Sequence, residues 1–388
     1  MQLKPIEQSF AVNFKYSLHF TNEVFESNNS LLAEVIKSYK PKEQVKLLFV
    51  VDDGVLKKRP KLIESIRNYC LLHGSQLQFT ECLVIAGGEI AKNNYDNVDK
   101  IISAINNNAI CRHSFVIVIG GGAVIDMCGY AASVAHRGVK LIRIPTTVLS
   151  QNDAAIGVKN GINAYNKKNF IGTFAPPYAI INDSEFLTSL EQRDWIAGVA
   201  EAIKVALIKD EFFFNTIKEN AIKLKERNMG AMLNTIYRCA EMHMEHIAKG
   251  GDPFESGSSR PLDFGHWSAH KLEQMSNYSL RHGEAVAKGI ALDLTYSQLA
   301  GFISVEILDE ILEVMLDVGF DLSIPISGHK EMQELLKGIQ EFREHLGGEL
   351  TITLINGIGQ KMDVHQIDME LMKNAVNSLN NKCKINVA

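Results

Sequence analysis

The first 150 residues alternate short apolar runs with amphipathic stretches, and this alternation narrows the fold more than any other feature. VKLLFVVDD (45–53), QLQFTECLVI (76–85), SFVIVIGGG (114–122) and VKLIRIPTT (139–147) each have the length and β-branched content of a buried strand. Between them, PKLIESIRNYCLLHG (60–74) and NYDNVDKIISAINNN (94–108) carry a helical period. Strands alternating with helices imply a parallel sheet with helices on its faces. From about Phe186 the pattern changes to long helical stretches: SLEQRDWIAGVAEAIKVALIKD, FFFNTIKENAIKLKERN, MLNTIYRCAEMHMEHIAKG and VEILDEILEVMLDVGF. One short strand, ELTITLI (349–355), lies near the end. The expected fold class is α/β, a parallel-sheet domain over 1–185 followed by a mostly α-helical domain over 186–388. A chain of 388 residues agrees with two domains, since single cores rarely grow past roughly 250–300 residues.

Bulk properties exclude several classes. The net charge of −5 gives no basic face for nucleic acid. The six cysteines are scattered without a C-x-x-C pair, so neither a zinc knuckle nor a disulfide framework is indicated. Reduced thiols and a cytoplasmic location are the simplest expectation. The N-terminal stretch has no continuous apolar core of a secretory signal, and no apolar run approaches the ~20 residues a membrane span needs.

Gly120, Gly121 and Gly122 end the third strand and lead into AVIDMCGYAASVA, a helix-compatible run. A glycine turn at a strand-to-helix junction lets backbone N–H groups approach a pyrophosphate, with the helix N-terminus adding positive charge. The match to G-x-G-x-x-G is incomplete, because Ile125 stands where the third glycine belongs. A plain tight turn explains the same residues. Asp52 ends an earlier strand and suits either a ribose hydroxyl or a helix cap.

The strongest chemical signal is Glu201 in GVAEAIK, His266 in PLDFGHWSAH and His282 in LRHGEAV. Two imidazoles and a carboxylate make a common catalytic metal set that leaves a coordination position open. Isolated histidines are usually surface or hydrogen-bonded core residues, so local context has to carry the reading. His266 and His270 are spaced to share a helix face, as are Glu201 and Lys204. On each pair one group suits a metal and the other a proton or a counter-charge. Lys159, Lys167 and Lys168, interleaved with Asn163 and Asn169, would suit a phosphate, although composition alone favours an exposed polar loop. His243 and His246 read as helix-surface residues.

PTTVLSQNDAAIGVKNGIN, KKNFIG, AGVAEAIK, DFGHWSAHKLE and LRHGEAVAKGIALD resemble, in order, the successive signatures of dehydroquinate synthase and its relatives, over roughly residues 45–360. The resemblance implies a Rossmann-like NAD-binding domain, a helical domain, an active site in the cleft between them, and a homodimer. It implies Glu201, His266 and His282 as ligands of zinc or cobalt. Asp153, Lys159, Lys168, Asn169, Lys204 and His270 match positions that bind substrate and move protons. Asp52, Glu89, Lys92, Gly121, Gly122, Asp126, Thr146 and Thr147 match NAD contacts. Arg137 matches an arginine that reaches the partner subunit's phosphate site.

Departures from the family pattern concern the substrate. Asp263 stands where dehydroquinate synthase has asparagine, and Arg260 is displaced by one position. A substrate-binding lysine is replaced around Met244–Glu245–His246, and another is absent from HLGGELTITL. Fewer cations and an added acid argue against a carboxylated substrate and suit a hydroxyl, whose hydrogen bond an acid accepts. GDPFESGSSRPLDFGHWSAHKLE and FREHLGGELTITL are similar to the corresponding strings of 2-epi-5-epi-valiolone synthases, which cyclise sedoheptulose 7-phosphate. Relatives in that branch make 2-epi-valiolone or desmethyl-4-deoxygadusol. Rival readings are dehydroquinate synthase itself, a metal-dependent polyol or glycerol-phosphate dehydrogenase, and a non-enzymatic descendant. The retained metal set and lysines speak against the last.

Overall fold

The computed structural model describes residues 5–165, 167–250, 254, 262–345 and 347–385. In chain order the first part contains β1 (Ser17–Thr21), α1 (Leu31–Tyr39), β2 (Val45–Asp52), α2 (Asp53–Lys58), α3 (Leu62–Leu72), β3 (Leu77–Ile85), α4 (Tyr95–Asn107), β4 (Phe115–Gly120), α5 (Gly122–Val134), β5 (Lys140–Pro145), β6 (Lys159–Ala164), β7 (Lys167–Phe174) and β8 (Ala179–Asp183). Six of these strands form one all-parallel sheet in the order β1-β8-β5-β4-β2-β3. β4 is continuously apolar, and β2 and β5 largely so, because helices cover both faces. Leu48, Val50, Val116 and Val118 pack into one layer with α4 and α5. Leu47, Phe49, Val51, Ile117 and Ile119 pack into the opposite layer with α1 and α3. The chain steps outward from β2 to β3, then returns to place β4 on the other side of β2. The carboxyl ends of β2 and β4 therefore border a topological switch point, where such sheets leave a ligand crevice.

Four of the six sheet strands are those expected from the apolar runs. The other two, β1 and β8, are short and extend the sheet beyond β5. The lysine-rich stretch after β5 is not a loop. It is the antiparallel hairpin β6–β7, standing outside the main sheet.

The second part contains α6 (Gln192–Ala197), α7 (Val199–Lys209), α8 (Glu211–Lys225), α9 (Met229–Lys249), α10 (His266–Met275), α11 (His282–Leu299), α12 (Val305–Val318), α13 (His329–His345), the hairpin β9 (Ile352–Gly357) and β10 (Gln360–Val364), and α14 (Met369–Ile385). One apolar core runs through these helices. Helix α11 is buried nearly all round, as its lack of a polar face requires. The single helix expected over 189–210 divides into α6 and α7 at Gly198. A Cβ there would lie 2.4 Å from Leu149 N, so glycine permits the helix pair to press against the segment after β5. Asn152 Nδ2 from that segment donates to Gly198 O at 2.8 Å. Among the described residues, no helix is long and apolar enough to cross a membrane.

Candidate active site

Glu201 faces inward from the first turn of α7 and is fully buried. His266 opens α10 and His282 opens α11. Helix packing brings the three together through glycine. Gly265 sits at φ +77°, a conformation that costs L-residues energy. A Cβ on Gly289 would lie 2.0 Å from Gly265 O, and one on Gly283 would lie 2.1 Å from Ala197 O. Glycine at 283 and 289 thus lets α11 seat against both the α6–α7 junction and the turn that carries His266.

The three donor groups lie within 4.8 Å of one another. Glu201 Oε1 is 3.7 Å from His266 Nε2 and 3.6 Å from His282 Nε2. A tetrahedral ion at ordinary zinc distances holds its donors about 3.4 Å apart. Glu201 Oε2 pairs with the Lys204 ammonium, whereas buried Oε1 receives no hydrogen bond among the described residues. An orphaned carboxylate oxygen facing two imidazole nitrogens fits a divalent cation. The tautomers agree. His266 Nδ1 lies 3.0 Å from Phe264 O, and His282 Nδ1 lies 3.1 Å from Glu273 Oε2. With Nδ1–H donated outward, both Nε2 lone pairs face Glu201. Burial, then Lys204, pushes the His266 pKa well below its ordinary value. For His282 burial acts the same way, but Glu273 and Glu201 outweigh it and raise the pKa.

A second group, His270, Glu273 and His282, also has metal-ligand spacing. There the Glu273 oxygens already accept from His282 Nδ1 and, at 2.9 Å, from Lys168 Nζ. Burial opposes ionisation of Glu273, yet His282 and Lys168 lower its pKa to about 2. We therefore read Glu273 as supporting the first group. The His270 ring is 5.5 Å from that of His266 and 6.0 Å from that of His282, at the exposed mouth of the cluster.

Asp153, in the turn after β5, faces this cluster. His243 Nδ1 approaches its Oδ1 at 3.1 Å. Burial resists its charge, but His243 and Lys204 hold the carboxyl well below the usual range. His243 is thus buried, correcting the helix-surface reading: α9 turns this face inward, with Cys239 one turn earlier. Burial raises the Cys239 thiol far above its ordinary pKa, and Asp153 and Glu201 add to the rise. Asp293 on α11 accepts from Gly265 N–H at 3.1 Å and Trp267 Nε1–H at 2.8 Å, clamping the turn before His266. Burial pushes its carboxyl up to about 7 against those two bonds. Asp263 lies close enough to contribute to the rise, and its carbonyl accepts from His266 N–H at 2.9 Å.

The glycine turn lies at the switch point. Asp52 ends β2 and caps α2 by accepting from Gly54 N–H at 2.8 Å. Gly121 is the N-cap of α5 and brings no side chain to that helix end, an arrangement that suits a pyrophosphate. Thr146 N–H donates to Gly120 O at 3.0 Å, and Thr147 lies alongside Gly121. Lys92 is buried, 2.8 Å from Asp126 Oδ2, and also donates to Asn169. Asn163 Nδ2 donates to Glu89 Oε1 at 2.9 Å, and Lys168 Nζ lies 4.0 Å from the same oxygen. Glu89, Lys92 and Asp126 of the expected nucleotide residues thus share one polar network with Asn163, Lys168 and Asn169 of the hairpin. Lys159 opens β6 and is exposed. Arg137 is exposed and lies beyond the far end of α5, about 20 Å of helix from the glycine turn. It is not brought to this chain's own site. Arg260 lies outside the described residues.

Cys239, Glu273 and Asp293 were assigned no role in the sequence reading, and His243 was placed on the helix surface. Glu273 and Asp293 end the strings DFGHWSAHKLE and LRHGEAVAKGIALD, so their signal was their place in those motifs.

Residues 82–197 match the family model of the 3-dehydroquinate synthase N-terminal domain, and residues 198–342 that of the C-terminal domain. The 3-dehydroquinate synthase of Buchnera aphidicola subsp. Baizongia pistaciae is 34% identical over 299 residues, covering 75% of this chain and 82% of that protein. The solved structure of the 2-epi-5-epi-valiolone synthase from Streptomyces hygroscopicus subsp. jinggangensis 5008, with NAD+ and Zn2+ bound, superposes with a TM-score of 0.86. It is 26% identical and covers 97% of this chain and 100% of that one. A 2-deoxy-scyllo-inosose synthase, complexed with carbaglucose-6-phosphate, NAD+ and Co2+, shares the fold at a TM-score of 0.76 and 20% identity over 93% and 96% of the two chains.

Proposed function

The chain belongs to the 3-dehydroquinate synthase family as a sugar phosphate cyclase, and within that family we propose that it closes sedoheptulose 7-phosphate to 2-epi-5-epi-valiolone or a close C7 cyclitol, releasing inorganic phosphate. NAD and a divalent ion, zinc or cobalt, are its cofactors in this reading. It acts as a carbon–oxygen lyase in the cytoplasm and as a homodimer, with Arg137 completing the phosphate site of a second copy.

When bound, NAD supplies a reversible hydride acceptor and the ion a Lewis acid toward a substrate oxygen. The chain's residues bind, orient and move protons. The α5 N-terminus with Gly121 and Gly122 takes the pyrophosphate, Asp52 a ribose hydroxyl, and Glu89, Lys92, Asp126, Thr146 and Thr147 fix the nucleotide's position. Lys159, Lys168 and Asn169 hold the substrate phosphate so that it departs from a fixed position and its oxygens stay beside the acidified C–H. Asp153, kept ionised by His243 and Lys204, accepts a hydrogen bond from a substrate hydroxyl. Lys204 lies beside Glu201 and offers a proton at that end of the cluster. His270, at the mouth, carries protons during ring opening and the aldol closure. The balance is loss of phosphoric acid alone, with no net redox change.

The observation that carries the substrate assignment is Asp263, beside His266 and near Asp293. An acid at this position disfavours a second carboxylate from the substrate. A hydroxyl instead gains a charge-assisted hydrogen bond. Similarity to the valiolone synthase structure over nearly the whole of both chains supports the same assignment. The test is incubation with sedoheptulose 7-phosphate, NAD+ and Zn2+ or Co2+, following phosphate release and identifying the product by NMR. A cyclitol ketone without accumulating NADH is expected. Turnover of the carboxylated heptulosonate phosphate alone would overturn the assignment in favour of dehydroquinate synthesis.

A further inference from the structure

Glu273 has two partners on opposite sides. Its Oε2 lies 3.1 Å from His282 Nδ1, and its Oε1 accepts from Lys168 Nζ at 2.9 Å. It is 3% exposed, so water competes little for either oxygen. Lys168 belongs to the β6–β7 hairpin and Glu273 to α10, so this carboxylate bridges the lysine-bearing hairpin and the metal cluster. Lys168 also lies over the Tyr278 ring, 5.6 Å from its centroid, and 4.0 Å from Glu89 Oε1.

We propose that Glu273 is a positioning residue that couples occupancy of the anion subsite at Lys168 to metal affinity at Glu201, His266 and His282. The inference rests on the metal and phosphate sites of the reading above. The physical argument is competition for one carboxylate. While Lys168 holds Glu273, the ammonium withdraws charge from the acceptor of the His282 N–H, and His282 Nε2 is a poorer donor to a cation. A phosphate that draws Lys168 toward itself returns that charge to Glu273. The His282 hydrogen bond strengthens, and so does Nε2 as a ligand. Linkage makes the effect reciprocal, so a bound cation tightens the anion site by the same factor.

Metal-free protein is titrated with Co2+, following its visible absorption, with and without inorganic phosphate. Wild type is expected to bind Co2+ about 5-fold or more tightly when phosphate is present. Glu273→Gln keeps the shape but is a weaker acceptor. It is expected to bind Co2+ about 10–100-fold more weakly, with no phosphate response, and Glu273→Asp to restore part of both. A direct effect of phosphate charge on the ion would survive in Glu273→Gln, and a surviving response there overturns the proposal. Should Glu273→Gln fail to fold, Lys168→Met decides. It is expected to bind Co2+ at the phosphate-saturated wild-type level and to ignore phosphate, and a retained phosphate response overturns the coupling. If wild type shows no Co2+ binding that Glu201→Gln abolishes, the metal reading itself fails. If it binds Co2+ but ignores phosphate, only this coupling fails.

Discussion

Replacing Glu201 tests two roles proposed for one side chain. Glu201 is fully buried and Lys204 is 2% exposed, and the two form an ion pair. Burial alone would lower the Lys204 pKa, but Glu201 and then Asp153 raise it. In metal-free Glu201→Gln the ammonium loses the larger of these partners. One-sided removal from a buried pair costs about 3–5 kcal/mol. The lower end applies here, because Asp153 still faces the ammonium and the amide oxygen still accepts from it. Glu201→Gln/Lys204→Met removes the buried charge and is expected to recover most of the loss. Urea unfolding of the metal-free proteins measures this, and Co2+ titration measures the ligand role, which both variants are expected to lose. The pH dependence has a definite sign. In wild type the raised Lys204 pKa contributes stability below the unfolded value of about 10.4, lost only as pH rises through the folded pKa. In Glu201→Gln burial prevails, the folded pKa falls below that value, and stability rises with pH toward it. A single variant within about 0.5 kcal/mol of wild type, or a double variant no more stable than the single, would refute the buried-charge argument. Wild-type Co2+ affinity in the double variant would remove Glu201 from the ligand set.

Three further outcomes follow from the geometry. In Gly289→Ala the added carbon meets Gly265 O at 2.0 Å, so α10 and α11 must separate by about 1 Å. The expected cost is about 1–3 kcal/mol in urea unfolding and about 10–100-fold in Co2+ affinity, and an unchanged protein would contradict this helix packing. Asp293, at about 7 in the folded protein against about 3.9 unfolded, favours folding when protonated. Stability from this group therefore falls as pH rises from about 4 to 7, by up to about 4 kcal/mol, then levels off. Unfolding of Asp293→Asn across that range should lack this slope, and parallel wild-type and variant profiles would exclude it. Asp263→Asn should lower kcat/KM for sedoheptulose 7-phosphate by about 10-fold through the lost charge-assisted hydrogen bond. Unchanged steady-state kinetics on that substrate would detach Asp263 from recognition.

What the sequence disclosed and what it hid divide along a physical line. β2, β4 and β5 were legible because strands covered on both faces are largely apolar, and β3, a half-buried edge strand, because it still ends in the apolar run CLVI. β1 and β8 were not, because five-residue strands leave too little pattern and derive their stability from the neighbour they join. The β6–β7 hairpin was hidden by its composition: Lys159, Lys167 and Lys168 read as a loop, since polar side chains are normal on strands outside a core. The triad Glu201, His266 and His282 was visible because each residue sits in a distinctive string. His243 was misjudged because helical spacing shows which residues share a face but not which face turns inward. That depends on α9 packing against the turn that carries Asp153. Glu273 stood in a motif but had no visible role, because its partner Lys168 is 105 residues away.

The charges of the site form one linked system. From the hairpin, Lys168 reaches Glu273, Glu273 reaches His282, and His282 faces Glu201, which holds Lys204. Lys204 in turn acts on Asp153, which His243 holds. On the sheet side, Lys92 joins Asp126 to Asn169, the residue next to Lys168. Carboxylates alternate with lysine ammonium and imidazole groups through this chain, so Glu273, Glu201 and Asp153 each have a partner and none carries its desolvation cost alone. The same alternation makes the site responsive. Under the coupling proposed above, an anion drawn to Lys168 changes the partner that Glu273 serves. In the reaction proposed above, phosphate is lost and a carbon–carbon bond gained with no net redox, so successive intermediates of different charge occupy one pocket. Alternating partners meet that need better than an isolated acid or base, because in the proposed coupling the departure of a phosphate is met by re-pairing between Lys168 and Glu273.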